Sequence, residues 1–103
     1  MLIHLESMEQ FNETIKSGVT LVDFYATWCG PCKMLAPELE KLAELRPDVT
    51  VIKVDVDEFG MLASEYNVRA VPTLVLFKDG YSLTSATGFR SEKQLEKFVD
   101  TAF

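Results

Sequence analysis

Two cysteines with two residues between them are the part of this sequence best suited to chemistry. Cys29 and Cys32 lie in the segment WCGPC at 28–32. The apolar, β-branched and aromatic run at 19–26 predicts a buried strand before them. Apolar residues at helical spacing predict a helix over 32–46 after them. The pair is therefore expected where a strand passes into a helix.

The start of a helix favours a thiolate, because its first backbone N–H groups are unpaired and its dipole is positive there. We expect Cys29 to face these groups and to be the nucleophile. Cys32 lies one turn further along, and we expect it to be more buried, less ionised and the resolving thiol. Attack by Cys29 on a substrate disulfide would then give a mixed disulfide that Cys32 opens.

Two other interpretations of the cysteines remain open. A disulfide that closes a four-residue loop stabilises a fold by only about 2 kcal/mol, so a purely structural bond is the weaker interpretation. Two copies of the chain could also share a metal ion through both cysteine pairs. With His4 as its one histidine, a single chain lacks the ligands of an ordinary zinc site. No metal and no cofactor is therefore expected.

Four further strands are expected, at 2–5, 49–56, 72–78 and 82–87. The hairpin signal Asp79-Gly80 joins the last two, and 82–87 is polar enough for a sheet edge. The element order is βαβαβαββα, and strands that alternate with helices require crossovers, so the first three should be parallel. The predicted fold class is α/β, with a mixed central sheet of about five strands and about four helices on its two faces.

Capping sequences mark the predicted helices. One helix should begin at the S-x-x-Q box of residues 7–10 and end at Gly18. Its apolar stripe is expected to consist of Met8, Phe11 and Ile15. The same box recurs at 91–94, before a closing helix, and 59–66 predicts a short helix at best. The acidic clusters at 38–44 and 55–58 are expected to be solvated faces.

Composition limits the class of protein. The 103 residues are expected to form a single domain, 1–103, and 48% hydrophobic with 25% charged residues exclude a disordered chain. A net charge of −6 argues against a nucleic-acid partner. No apolar run approaches the length of a membrane span, and the first residues lack the pattern of a secretion signal. We expect no membrane partner, and we also expect a cytoplasmic monomer.

The segment YATWCGPCK resembles the active-site segment of the thioredoxin family. The resemblance continues through LVDF before it and through KMLAPELEKLA, VIKVDVDE and VRAVPTLVLFKDG after it. It implies the thioredoxin fold and a protein-disulfide reductase and electron carrier in cell redox homeostasis. The implied partners are an NADPH-dependent flavoprotein, thioredoxin reductase, and disulfide-bearing clients such as ribonucleotide reductase, peroxiredoxin and methionine sulfoxide reductase.

The resemblance also implies supporting residues. Asp23 interrupts an apolar strand, and by resemblance it is the buried acid that exchanges a proton with Cys32. Lys53 would tune the charge of Asp23, although a snorkelling surface lysine is an equal alternative. Pro72 would be cis and pack against the disulfide, and the backbone of Val71 would pair with a substrate strand. The implied docking patch consists of Trp28, Gly30, Pro31, Ala70, Val71, Pro72 and Gly88.

Alternatives to these assignments remain. Asp23 could face a polar strand end, Trp28 could be a core aromatic residue, and Gly88 could be a plain turn glycine. For the function, a disulfide oxidase or isomerase of the same fold commonly carries His in place of Pro31, so this proline argues against it. A non-catalytic thioredoxin-fold subunit of a larger assembly would need neither thiol.

Overall fold

Five strands and four helices follow one another in the predicted order. The strands are β1 (Leu2–His4), β2 (Val19–Tyr25), β3 (Val49–Asp55), β4 (Thr73–Lys78) and β5 (Tyr81–Thr87). The helices are α1 (Met8–Ile15), α2 (Gly30–Leu45), α3 (Gly60–Glu65) and α4 (Glu92–Asp100). The computed structural model describes all 103 residues. None of the helices combines the length and the hydrophobicity that crossing a bilayer requires.

The five strands form one mixed sheet in the order β1-β3-β2-β4-β5. The first three strands run parallel, as their crossovers require, and β4 and β5 are antiparallel to their neighbours. The hairpin prediction is confirmed, because Asp79 and Gly80 both have positive φ values, 49° and 90°, as a tight two-residue turn needs. The polar strand β5 lies at one edge of the sheet, as predicted. The third position in the order belongs to β2, which is therefore the central strand.

Helices cover both faces of the sheet, which confirms the predicted layers. Alternate residues of β2 belong to two separate cores: Leu21 packs in a cluster with residues of α2 and α4, and Phe24 packs in a cluster with residues of α1 and α3. A strand buried on both faces is apolar at nearly every position rather than at every second one. This explains why any charged residue in β2 must be buried.

Two details of the predicted helices differ from the structure. Met8 does not belong to the buried face of α1 and is 41% exposed, whereas Phe11 and Ile15 are buried. Helical side chains lean toward the N-terminus, so the side chain of this first helical residue projects beyond the end of the helix. The first capping box is also incomplete: Gln10 Oε1 accepts the N–H of Glu6 (2.8 Å) rather than that of Ser7.

One residue of the acidic cluster at 38–44 has a structural partner, which corrects the prediction of a purely solvated face. Glu38 Oε1, on α2, accepts the backbone N–H of Glu92 at 2.8 Å, in the first turn of α4. A carboxylate is stabilised there by the unpaired N–H groups and the dipole of that helix. The backbone hydrogen bond from Glu92 also keeps the pKa of Glu38 below its usual value. This contact joins α2 to α4.

The two-faced core predicts very different effects for two leucines of α2. Leu39 is completely buried in the α2–α4 cluster, and Leu45 is 61% exposed. We expect Leu39→Ala to lower the free energy of unfolding by about 2–5 kcal/mol because it leaves a cavity. Leu45→Ala should change it by about 0.5 kcal/mol or less. Urea unfolding of both variants measures this, and equal losses would contradict the core described above.

Candidate active site

The cysteine pair lies at the junction of β2 and α2, as predicted, but α2 begins two residues earlier than expected. It starts at Gly30, with Pro31 in the first turn and Cys29 as the N-cap residue in an extended conformation (φ −91°, ψ 117°). Proline fits a first helical turn because its φ is preset and its missing N–H would be unpaired there anyway. Cys32 is therefore inside the first turn, and Cys29 is just outside it.

A backbone amide of α2 faces the sulfur of Cys29. The N–H of Cys32 donates to Cys29 Sγ at 3.2 Å. The two cysteines form a disulfide with their Cα atoms 5.3 Å apart. Once this bond is reduced, the same amide and the positive end of the helix dipole would stabilise a thiolate on Cys29. The predicted contact between the helix start and Cys29 is confirmed.

Burial does not separate the two cysteines as expected. Cys29 is 4% exposed and Cys32 is 3% exposed, so both are buried to the same degree. The reason is that the residues beside Cys29 cover it: Ala26 and Val71 pack in the same cluster, and the carbonyl oxygen of Val71 lies 3.6 Å from Cys29 Sγ. The asymmetry of the pair therefore comes from the helix amide at Cys29 and not from exposure.

Asp23 is completely buried in the middle of β2, so it does not face a polar strand end. Neither of its carboxyl oxygens has a hydrogen-bond partner. Burial raises the pKa of Asp23 from 3.8 to about 7, and the positive charge of Lys53 opposes this rise. No hydrogen bond joins Asp23 to either cysteine. A carboxyl with this pKa can bind or release a proton near neutral pH.

Lys53 lies beside Asp23 in the sheet, and the register of β2 and β3 pairs these two residues. Its ammonium group makes no ion pair with Asp23. Lys53 Nζ lies instead 4.6 Å from the centre of the Tyr25 ring, a cation–π contact. The side chain is half-buried. Lys53 is thus close enough to affect Asp23 but is held by a different neighbour, which neither of the two sequence-based alternatives anticipates.

The loop before β4 brings Val71 beside Cys29, and Gly88, after β5, contacts this loop. The Val71–Pro72 peptide bond is cis, and Pro72 is buried. The N–H of Gly88 donates to the carbonyl oxygen of Pro72 at 2.9 Å. Gly88 has φ +94°, a conformation that residues with a side chain rarely adopt, so the backbone conformation rather than a lack of space favours glycine here. Gly88 is therefore a turn glycine that also contacts the loop beside Cys29.

An apolar groove of about 210 Å³ lies next to the disulfide. Its lining residues are Trp28, Val56, Val68, Arg69, Ala70 and Val71. The groove thus contains three members of the predicted docking patch. Gly30 and Pro31 are exposed at the start of α2, and Gly88 lies beside Pro72.

Trp28 is on the surface and not in the core. Its side chain is 69% exposed, and its Nε1–H donates to Asp57 Oδ2 at 3.0 Å. The N–H of Asp57 in turn donates to Asp55 Oδ1 at 2.9 Å. Asp57 is exposed, as predicted for cluster 55–58, but it also has a partner that the prediction missed. The signal that could have identified it is position, because Trp28 and Asp57 follow the carboxyl ends of neighbouring parallel strands.

The raised pKa of Asp23 predicts that stability depends on pH. Between about pH 4 and 7 the folded chain keeps a proton on Asp23 that the unfolded chain has released. The stability that Asp23 contributes is thus fully present below pH 3.8 and is lost as pH rises through about 7. Asp23→Asn removes this loss.

We therefore compare the unfolding free energy of oxidised Asp23→Asn with that of wild type at two pH values. The difference in favour of Asp23→Asn should be larger at pH 8.5 than at about pH 4, by about 4 kcal/mol. Urea unfolding of both proteins at the two pH values measures this difference. A gain of the same size at both pH values would contradict the proposed protonation.

Comparison with known proteins identifies the family. The family model described as Thioredoxin matches residues 2–101. The chain is 45% identical over 98 residues to a thioredoxin from Chlamydia trachomatis, covering 95% of this chain and 96% of that protein. It is 46% identical over 91 residues to a thioredoxin from Staphylococcus aureus, covering 87% and 88%. The solved structure of a mutant thioredoxin from Halobacterium salinarum superposes with a TM-score of 0.91 at 43% identity, covering 98% of this chain and 89% of that chain. The mixed five-stranded sheet with four helices is the thioredoxin fold, and the chain belongs to the thioredoxin family.

Proposed function

We propose that the chain is a protein-disulfide reductase and electron carrier in which Cys29 is the nucleophile and Cys32 the resolving thiol. Thiol–disulfide redox chemistry is the activity of its family. The observation that carries the assignment of roles is the backbone N–H of Cys32 directed at Cys29 Sγ. It favours negative charge on Cys29 over Cys32, and the thiolate is the form that attacks a disulfide.

The reaction proceeds by two exchanges. The Cys29 thiolate attacks one sulfur of a client disulfide, forms a mixed disulfide and releases the other client sulfur as a thiolate. Cys32 then loses its proton and attacks Cys29 Sγ, which breaks the mixed disulfide and releases the second client thiol. Two electrons pass to the client, and the chain is left with the Cys29–Cys32 disulfide.

Asp23 is the group we propose to take the proton from Cys32 in the second step. Its pKa of about 7 suits it to both accept and return a proton near neutral pH. Because no hydrogen bond joins it to Cys32, we propose that a water molecule carries the proton between them. Lys53, the nearest cation in the sheet register, would tune how readily Asp23 binds that proton.

Client proteins are proposed to dock across the groove and the cysteines. Val71 precedes β4, and its carbonyl lies 3.6 Å from Cys29 Sγ, so an extended client segment paired with the backbone of Val71 would bring its disulfide to the nucleophile. The flat apolar surface around it suits many partners. The proposed docking residues are Trp28, Gly30, Pro31, Ala70, Val71, Pro72 and Gly88.

If the chain passes electrons to its clients, it needs a partner that reduces it again and a compartment that keeps thiols reduced. Disulfide-bearing clients and a reductase are the partners of the family in general. We propose that an NADPH-dependent flavoprotein reductase regenerates the dithiol, and that the clients include ribonucleotide reductase, peroxiredoxin and methionine sulfoxide reductase. A reductase must be kept reduced, so we place the chain in the cytoplasm, where thiols are kept reduced. We further propose that residues 1–103 act as one domain and as a monomer.

Replacement of each cysteine tests the two roles. We expect Cys29→Ser to reduce insulin no faster than the dithiothreitol background, because the attacking sulfur is gone. Cys32→Ser should instead accumulate a mixed disulfide between Cys29 and insulin, because nothing can open it. Turbidity and non-reducing mass spectrometry measure the two results. Trapping by Cys29→Ser rather than by Cys32→Ser would reverse the assignment.

Two further measurements address the alternatives to a reductase. In an equilibrium with glutathione, an oxidase or isomerase would strongly favour its reduced form, whereas a reductase favours the disulfide. A Cys29→Ser, Cys32→Ser double variant that kept full biological function would indicate a non-catalytic subunit. Pro31 favours a reductase over an oxidase or isomerase, and the helix amide at Cys29 favours a catalytic pair over a non-catalytic subunit.

The contact between Trp28 and Asp57 predicts a selective effect on docking. Trp28 is the only tryptophan, so tryptophan fluorescence comes from this side chain alone. Asp57→Ala removes the acceptor, and we expect the anisotropy of Trp28 to fall and KM for insulin to rise about 2- to 10-fold with kcat retained. Glu58→Ala removes the same charge one residue away and should change neither. Equal effects of the two variants would show that charge alone matters.

A further inference from the structure

Three side chains beside the cysteines share one face of the sheet. Asp23 and Tyr25 lie two residues apart on β2, and Lys53 lies on β3 directly opposite Asp23. Side chains two residues apart on a strand point to the same face, and partners in parallel strands do so too. Lys53 therefore has two neighbours within its reach, a carboxyl group and an aromatic ring.

The ammonium group of Lys53 lies at the ring. Its Nζ is 4.6 Å from the centre of the Tyr25 ring, within the usual range of a cation–π contact. Asp23 is left without an ion pair, and both of its oxygens lack any hydrogen-bond partner. Opposite charges on paired residues would be expected to form an ion pair. Another effect must therefore favour the position of the ammonium group at the ring.

A difference in hydration explains why the Lys53 ammonium group lies at the Tyr25 ring rather than at Asp23. Asp23 is completely buried, whereas Tyr25 is only partly buried, so the ring is the neighbour closer to water. To reach Asp23 the ammonium group would have to give up much of its hydration. Over the ring it is attracted by the π electrons while one side of it stays in contact with solvent.

We propose that Tyr25 is a positioning residue whose ring holds the Lys53 ammonium away from Asp23, so that Asp23 stays unpaired and able to bind a proton. This inference rests on the proposed role of Asp23 in proton transfer. Without the ring, Lys53 would be free to move toward the carboxyl group and stabilise its charged form. Tyr25 would then set the pH at which Asp23 releases its proton, without itself taking part in the thiol–disulfide exchange.

The other groups around Asp23 carry little charge. Its partner on β4 is Leu74, and α2 contributes Leu35 and, in the oxidised protein, the uncharged disulfide to this side of the sheet. The acidic residues near the ring are Asp55 and Glu58. Burial raises the pKa of Tyr25, and the negative charges of Asp55, Asp23 and Glu58 raise it further. Lys53 is therefore the one cation that faces Asp23, and Asp55 and Glu58 also draw it toward the ring end of the strands.

A titration of Asp23 tests the proposal. The carboxyl ¹³C resonance of oxidised protein reports its pKa, with Asp23→Asn identifying the signal. We expect Tyr25→Met, which fills space without a ring, to lower the pKa of Asp23 by about 1, a tenfold change in proton binding. Tyr25→Phe keeps the ring and should leave the pKa unchanged. Tyr81→Met is the matched control, because Tyr81 is 76% exposed and has no cation over its ring.

Removal of the lysine separates the two possible causes of a lower pKa. In a Lys53→Met background, Tyr25→Met should no longer lower the pKa of Asp23. If the fall persists there, water entering beside Asp23 is its cause, and the proposal is wrong. An unchanged or higher pKa in Tyr25→Met alone would also overturn it.

A measurement on wild type avoids any loss of folding in the variants. The ε-protons of Lys53 should be shifted upfield by the ring current in wild type and in Tyr25→Phe, and unshifted ε-protons would overturn the proposal. The titrations use no activity assay. An Asp23→Asn protein with an unchanged pH–rate profile would therefore refute the proton-transfer role while the position of Lys53 is still decided separately.

Discussion

A backbone amide directed at a sulfur atom is the contact on which the rest of the site depends. It exists because β2 ends and α2 begins within a few residues, which makes Cys29 the N-cap and gives its sulfur the N–H of Cys32. Pro31 supports this start, since it fits a first helical turn. Burial is equal for the two sulfurs, so this amide is the feature that distinguishes them, and the roles we propose for them depend on it.

Burial of the Asp23 carboxyl lowers the stability of the fold. Asp23 lies in the central strand, where both faces are covered by apolar clusters and neither carboxyl oxygen finds a partner. A fold selected only for stability would place an apolar residue there or pair the carboxyl with Lys53. Neither is found here, and Asp23 keeps a pKa of about 7, as the proposed proton transfer requires. The two large cores on either side of the sheet offset the resulting loss of stability.

Features that depend on a few adjacent residues can be predicted from the sequence. The element order, the hairpin at Asp79-Gly80 and the cysteine pair at a helix start all belong to this class. The missed features depend on residues far apart in the chain. Asp57 receives the indole N–H of Trp28, and Glu38 caps another helix, although both carboxylates have ordinary surface surroundings in the sequence. The direction of Lys53 also escaped prediction, because two partners compete for it and only their relative hydration decides.

The site is assembled from distant parts of the chain, and this has a consequence for biosynthesis. The carbonyl beside Cys29 belongs to a residue 42 positions later, and the acceptor of the tryptophan N–H lies 29 positions later. A nascent chain that has not yet reached residue 57 would carry both sulfurs but neither of these two neighbours. The surface proposed for client docking is therefore complete only after translation has passed Gly88, whereas the amide at Cys29 needs only residues of α2.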